Sequence, residues 1–199
     1  IIDTITNVLD IKDKSILEVG PGTGNLTSSL LKKKPKNFYV IEKDNNLASL
    51  LEKEFRNQIT IINDDILKFN EKSLCDEQLI VFGNLPYNIS TEILCKWILN
   101  LKSEKIWFSN LILMFQKEVA DRIISEHNSS KYGRLTILAN WKLEIKKIID
   151  IKSISFSPRP KVDSTLLFFS TKKKFFKLKD GSNLEKITRI FFSHRRKMI

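Results

Sequence analysis

The chain has 199 residues, 42% of them hydrophobic, and a formal charge of +11 from 34 Lys and Arg against 23 Asp and Glu. That length suits one α/β domain with the start of a second, and the apolar content excludes a disordered chain. The apolar runs are strand-length and fall short of the ~18 residues of a membrane span, and the two cysteines, Cys75 and Cys95, lack the spacing of a zinc site or a disulfide framework.

In chain order, the first β-rich run is Ser15 to Val19. It ends in a glycine-rich turn, Glu18-Val-Gly-Pro-Gly-Thr-Gly24, and Leu26 to Leu31 then reads as a helix. A second strand is expected at Asn37 to Ile41, and Leu47, Leu50, Leu51 and Phe55 share a helical face after it. Ile59 to Ile62 and Leu79 to Phe82 read as strands three and four. Ile89, Ile93, Leu94, Trp97, Ile98 and Leu101 form the next helical face, and Leu111 to Phe115 is strand five. Alternation of this kind implies parallel strands joined by right-handed crossovers. After Gly133 the pattern changes: Leu135 to Ile145 and Val162 to Ser170 both read as strands, with the proline-stiffened loop Ser155 to Pro160 between them. The sheet should therefore end in an antiparallel pair. The expectation is a Rossmann-like α/β domain over 1–171, a mostly parallel seven-stranded sheet with an antiparallel last strand and helices on both faces. A basic linker, Lys172 to Lys174, and a helix at Leu184 to Phe192 then open a second region over 172–199.

The charge is uneven. Ten basic residues lie between Lys172 and Lys197, opposed only by Asp180 and Glu185, so this segment carries +8 of the +11. Such density suits a phosphate backbone; a solvated basic face would look the same on charge alone.

Glycines let a backbone turn sharply and approach a ligand closely, and a turn at the carboxyl end of a parallel strand is where α/β sheets bind nucleotides. Glu18, Gly20, Gly22 and Gly24 are therefore candidate cofactor residues. Glu42, about 20 residues on at the end of strand two, is placed to accept from ribose hydroxyls, with Lys43 beside it. These features indicate an adenosine-containing cofactor and leave NAD and S-adenosylmethionine open. Asp65 after strand three can accept from an adenine amine, and Ile66 can donate its backbone N–H to a ring nitrogen.

The block Gly83-Asn-Leu-Pro-Tyr-Asn-Ile-Ser90 decides between the two. Hydride transfer has no use for it, whereas methylation of an exocyclic amine does. The adenine amine has its lone pair delocalised into the ring and must become more tetrahedral to attack a methyl group. Two acceptors, the Asn84 side-chain oxygen and the Pro86 carbonyl, would hold its hydrogens in that geometry, and catalysis then rests on positioning and electrostatics. No metal is required. Tyr87 would stack on an extruded base, a role that needs the ring and not the hydroxyl. Phe156, held by the proline loop, would cover the other face. Asn84, Leu85, Pro86, Tyr87 and Phe156 are the candidate catalytic residues.

With these residues in hand, the sequence resembles the small-subunit ribosomal RNA adenine N6,N6-dimethyltransferases of the bacterial type. The resemblance rests on Glu18 to Gly24, Val40-Ile-Glu42, Phe82 to Thr91, Gln116-Lys-Glu-Val119, Tyr132-Gly-Arg-Leu135, Pro160-Lys-Val-Asp-Ser164 and Arg195-Arg-Lys197. It implies that Gly20 and Glu42 bind the amino-acid end and ribose of S-adenosylmethionine and that Asp65 binds its adenine amine. Asn84 would stand between cofactor and target, and Tyr87 and Phe156 would flank the target adenine. It also implies a substrate of two adjacent adenines near the 3′ end of small-subunit rRNA, in a pre-30S-type particle, and a monomeric cytoplasmic enzyme with no membrane partner. Measured against the family pattern the chain reads as truncated at both ends. The related large-subunit dimethylases more often carry Asn-Ile-Pro-Tyr, so Leu85 favours the small-subunit reading. A non-catalytic nucleic-acid-binding relative would not need the intact Asn84 to Tyr87, and a NAD-dependent oxidoreductase leaves that block unexplained.

Overall fold

The computed structural model describes residues 1–101 and 106–193. Its elements are α1 (Ile2–Thr6), β1 (Ser15–Val19), α2 (Asn25–Leu31), β2 (Asn37–Glu42), α3 (Asn45–Phe55), β3 (Thr60–Asn63), β4 (Leu79–Gly83), α4 (Ser90–Asn100), β5 (Phe108–Gln116), α5 (Lys117–Ile123), α6 (Arg134–Lys142), β6 (Leu143–Ile151), β7 (Ser164–Thr171) and α7 (Gly181–Ser193). The seven strands form one sheet in the order β3-β2-β1-β4-β5-β7-β6. β1 to β5 are parallel, and β7 enters antiparallel between β5 and β6.

Strand periodicity builds the two sides of the core. Leu111, Leu113 and Phe115 of β5 point to one face, where they meet Trp97, Ile93 and Ile98 of α4 and Leu138 of α6. Ile112 and Met114 point to the other, beside Ile16, Val40, Phe82, Leu51 and Phe55. The central strands β1 and β4 are buried along their whole length, as strands covered by helices on both faces must be.

The expected sheet, helices and terminal antiparallel pair are present, with one displacement. The segment read as a strand from Leu135 to Ile145 is a helix, α6, through Lys142, and β6 begins at Leu143. Leu-Thr-Ile-Leu-Ala-Asn-Trp fits alternation as well as helical spacing. The helix prevails because Leu138 and Ala139 fill the space beside α4, and Thr136 fixes its first turn. The Thr136 hydroxyl accepts from the Gly133 N–H at 3.1 Å and donates to the Arg122 carbonyl at 2.6 Å.

Two lysines, Lys142 buried and Lys96 half-buried, tie loops to α4. Lys96 donates to the carbonyls of Ile66 and Phe69 and to the Glu71 carboxylate, which also takes the Trp97 indole N–H at 2.6 Å. This fixes the segment after β3 against the sheet. Lys142 donates to the carbonyls of Ile98 and Leu101, satisfying the open end of α4. Burial pushes its ammonium down to about 8.

The helix expected at Leu184 to Phe192 is α7. It leans on α6 through Leu184 and the Arg134–Glu185 ion pair, while Ile187, Ile190 and Phe191 stay exposed. The Arg195-Arg-Lys197 motif lies outside the described residues.

Candidate active site

Four strand ends meet at the carboxyl edge of the sheet. The turn after β1 carries Gly20, Gly22 and Gly24, all with positive φ (68°, 59° and 84°). Gly24 is forced: a Cβ there would sit 2.5 Å from the Phe55 ring and 3.0 Å from a Leu51 methyl, so only glycine lets α2 start against α3. Gly20 serves the site itself. Its N–H donates to the Ile41 carbonyl at 3.0 Å, and a Cβ on it would stand 3.9 Å from Pro86 Cδ and 4.0 Å from the Asn84 carbonyl oxygen. The glycine turn and the Asn84–Tyr87 block thus approach each other closely, and a Cβ at position 20 would stand in van der Waals contact with that block.

Glu18 lies beneath the turn and is 1% exposed. Its carboxylate accepts from the Thr27 hydroxyl at 2.7 Å, which joins β1 to α2. Burial raises its pKa to about 7, and the Thr27 hydrogen bond only partly offsets that. Glu18 braces the loop from behind.

Glu42 closes β2. One oxygen accepts from the Asp44 N–H at 2.9 Å, and the other lies 3.4 Å from the Gly22 nitrogen. Asn63 at the end of β3 donates to the Glu42 carbonyl at 2.9 Å and so locks the neighbouring strand ends together. Lys43 points across to Asp65, 2.9 Å between charged atoms, and this pairing holds the Asp65 carboxyl below its ordinary range. The Leu67 N–H binds the other Asp65 oxygen at 3.0 Å. Among the described residues the Ile66 N–H has no acceptor, which leaves it available to a ligand.

Asn84 follows β4 directly. It is exposed, and its side chain makes no hydrogen bond among the described residues. The Pro86 carbonyl is already engaged: it accepts from the N–H groups of Ile89 and Ser90 at 3.1 and 3.0 Å, opening the first turn of α4. With two donors already on it, the Pro86 carbonyl has little capacity left for the second-acceptor role expected of it. The Leu85 carbonyl next to it has no donor among the described residues, and the Leu85 side chain is buried.

Tyr87 faces a cleft of about 280 Å³ lined by Asn84, Leu85, Pro86, Phe156, Ser157, Pro158 and Pro160. Two sequence motifs far apart in the chain therefore form one pocket with an aromatic on each side. A larger hollow of about 410 Å³, between Arg122, Tyr132, Arg134 and Phe192, shares none of these lining residues. The structure adds residues the sequence reading gave no role. Thr27 holds Glu18, Asn63 clamps β2 to β3, and Ser164 meets the Tyr87 hydroxyl at 2.6 Å. Ser164 belonged to a motif already singled out; Thr27 and Asn63 carry no sequence signal of their own. No group of three or more His, Cys, Asp or Glu side chains able to hold a metal occurs among the described residues. No helix among them is long and apolar enough to cross a membrane.

The whole chain, residues 1–199, matches the family model described as ribosomal RNA adenine dimethylase. It is 65% identical over 199 residues to "Ribosomal RNA small subunit methyltransferase A" of Pelagibacter ubique (strain HTCC1062), covering all of this chain and 76% of that protein. It is 43% identical over 195 residues to the protein of the same name from Wolbachia pipientis subsp. Culex pipiens (strain wPip), covering 95% of this chain and 71% of that protein. Among solved structures, a dimethyladenosine transferase from Plasmodium falciparum superposes with a TM-score of 0.84 at 32% identity, covering all of this chain and 70% of that one. The 23S rRNA methyltransferase ErmE superposes at 0.75 with 23% identity, covering 97% of this chain and 76% of that one, a likeness of fold.

Proposed function

Because the chain belongs to the ribosomal RNA adenine dimethylase family, we propose that it transfers methyl groups from S-adenosylmethionine to the N6 amines of two adjacent adenines near the 3′ end of small-subunit rRNA. The observation that carries this reading is the close approach of the glycine turn to the Asn84–Tyr87 block. The turn expected to hold the cofactor comes within 4.0 Å, measured from a Cβ built on Gly20, of the Asn84 and Pro86 segment expected to hold the base.

The residues present fit an adenosyl cofactor. Gly20 leaves room that any side chain would fill, and Glu42 offers a carboxylate for ribose hydroxyls. Asp65 and the Ile66 N–H offer an acceptor and a donor for the two edges of an adenine. Gly22 and Gly24 shape the turn, Glu18 braces it, and Lys43 orients Asp65. When bound, S-adenosylmethionine supplies a methyl group on a sulfonium, an electrophile that needs neither metal nor covalent catalysis. The chain's own contribution is to hold the amine. The Asn84 side-chain oxygen and the Leu85 carbonyl accept its two hydrogens and draw the nitrogen toward a tetrahedral shape, while Tyr87 and Phe156 grip the base from its two faces. Pro86 stiffens the turn and, through its carbonyl, starts α4.

The substrate is the RNA of a pre-30S-type particle, met in the cytoplasm by a monomer. Residues 1–171 are the catalytic unit. The basic segment from Lys172 onward faces the RNA backbone, with Lys173, Lys174, Lys177 and Lys179 exposed. The small-subunit reading is favoured over the large-subunit one by Leu85 and by the names of the relatives that match at 65% and 43% identity.

The test is a methylation assay on undermethylated small-subunit particles, with large-subunit particles in parallel and modified nucleotides mapped. Dimethyladenine at two neighbouring positions of the small-subunit RNA is the expected result. Methylation confined to large-subunit RNA, or none on either, overturns the assignment.

A further inference from the structure

A stacking tyrosine needs only its ring, so the sequence gives the Tyr87 hydroxyl nothing to do. The structure gives it a partner. The hydroxyl lies 2.6 Å from Oγ of Ser164, a fully buried residue that opens β7 and pairs with Gln116 of β5 on one side and Ile151 of β6 on the other. Held by strands on both sides, Ser164 is a fixed point. The Tyr87 ring stands on a turn between β4 and α4 and is half-buried, so this bond is its anchor to the rigid sheet.

The preceding residue does the same for the opposite wall. The Asp163 carboxylate accepts from the Ser153 N–H at 2.9 Å and pairs with Lys152 at 3.0 Å. The Ser153 carbonyl in turn accepts from the Phe156 N–H at 3.2 Å. Asp163 is itself fixed to the sheet margin, its carbonyl accepting from the Lys117 N–H at 2.9 Å. One consecutive pair thus reaches both aromatics of the cleft, Tyr87 through a hydroxyl and Phe156 through a backbone turn.

We propose that Asp163 and Ser164 are positioning residues that set the gap between Tyr87 and Phe156, and so the fit of a flat base between them. The proposal rests on reading those two rings as the walls that hold the target adenine. Neither Asp163 nor Ser164 lines the cleft; both act through the residues they hold. The gap is then a property of one rigid strand end, so the two walls do not drift apart independently.

The experiment is a double-mutant cycle on the full chain with small-subunit particles as substrate. Ser164→Ala and Tyr87→Phe each remove one side of the same bond, and each is expected to lower kcat/KM for RNA by about fivefold to tenfold. The double variant should lose no more than either single one, and affinity for S-adenosylmethionine should stay unchanged in all three. Losses that multiply overturn the proposal, because Ser164 then acts on something other than Tyr87. A second measurement is independent of turnover. With labelled tyrosine, the ring signals of Tyr87 should move in Ser164→Ala while those of Tyr39 and Tyr132 stay in place; an unmoved Tyr87 also overturns it. For the other wall, the loss caused by Asp163→Ala should vanish in a Phe156→Ala background. A wild-type chain that methylates no RNA sinks the functional reading and the proposal with it, whereas an active wild type with multiplying losses sinks the proposal alone.

Discussion

Thr27 donates its hydroxyl to the buried carboxylate of Glu18 at 2.7 Å, and that single contact joins the strand before the glycine turn to the helix after it. Burial leaves the Glu18 carboxyl with a pKa of about 7. A carboxyl whose folded pKa is raised contributes stability below its unfolded value, near 4.5. That contribution fades as the pH rises and is gone above about 7. Glu18→Gln keeps an acceptor for Thr27 and removes the charge. It should be more stable than the parent at pH 8.5, by on the order of 3 kcal/mol, and the advantage should shrink toward pH 5. Urea unfolding at the two pH values measures this. A pH-independent difference would show that Glu18 does not titrate in this window.

Asn84 is exposed and unbonded among the described residues, so the fold does not depend on its side chain. Asn84→Ala should leave the melting temperature and S-adenosylmethionine affinity near the parent values. Methyl transfer should drop by about a hundredfold or more, the scale of losing one well-aimed polar group in an active site. Turnover close to that of the parent would remove Asn84 from the chemistry.

Glu42 holds its carboxylate at the end of β2 with one oxygen on the Asp44 N–H and the other near Gly22. Hydrogen bonds to a charged acceptor are worth about 1.5–3 kcal/mol. Glu42→Gln should therefore weaken S-adenosylmethionine binding by roughly tenfold to a hundredfold while turnover at saturating cofactor changes little. Titration calorimetry and saturation kinetics separate the two effects, and an unchanged dissociation constant is the contrary result.

Gly24 combines a φ of 84° with a neighbour that cannot yield, since a Cβ would lie 2.5 Å from the core ring of Phe55. Gly24→Ala should cost about 2–4 kcal/mol, the sum of left-handed strain and overpacking. Part of that loss should be recovered by Phe55→Leu, which clears the contact. Chemical denaturation of the two single variants and the double reads it, and strictly additive losses would place the cost elsewhere.

Most of the sheet and the strand-end motifs were legible because their signals are local. Strand, glycine turn and helix lie in one stretch from Ser15 to Leu31, and Asn84 to Tyr87 follow their strand directly. α6 was not legible because its residues fit two periods, and the choice between them is made by α4 and Arg122, which lie elsewhere in the chain. Which carbonyl beside Asn84 is free of donors depends on what the start of α4 consumes, a matter of backbone hydrogen bonding that residue types do not encode. The Tyr87–Ser164 bond spans 77 positions, and no spacing rule reaches so far.

The reversed direction of β7 has a consequence for how this enzyme can diverge. Because β7 runs against β5, its first residue lies at the same rim as the last residues of β1, β2 and β4. On the proposed reading, the methyl donor is addressed by segments that leave parallel strands, whereas the Phe156 wall of the acceptor pocket belongs to a segment that enters a strand turned the other way. On that reading, one wall of the acceptor pocket is therefore written apart from the turns that would hold the donor, while Asn84 to Tyr87 serves both sides of the opening. Substitutions between Lys152 and Asp163 can reshape what is methylated without rewriting what does the methylating.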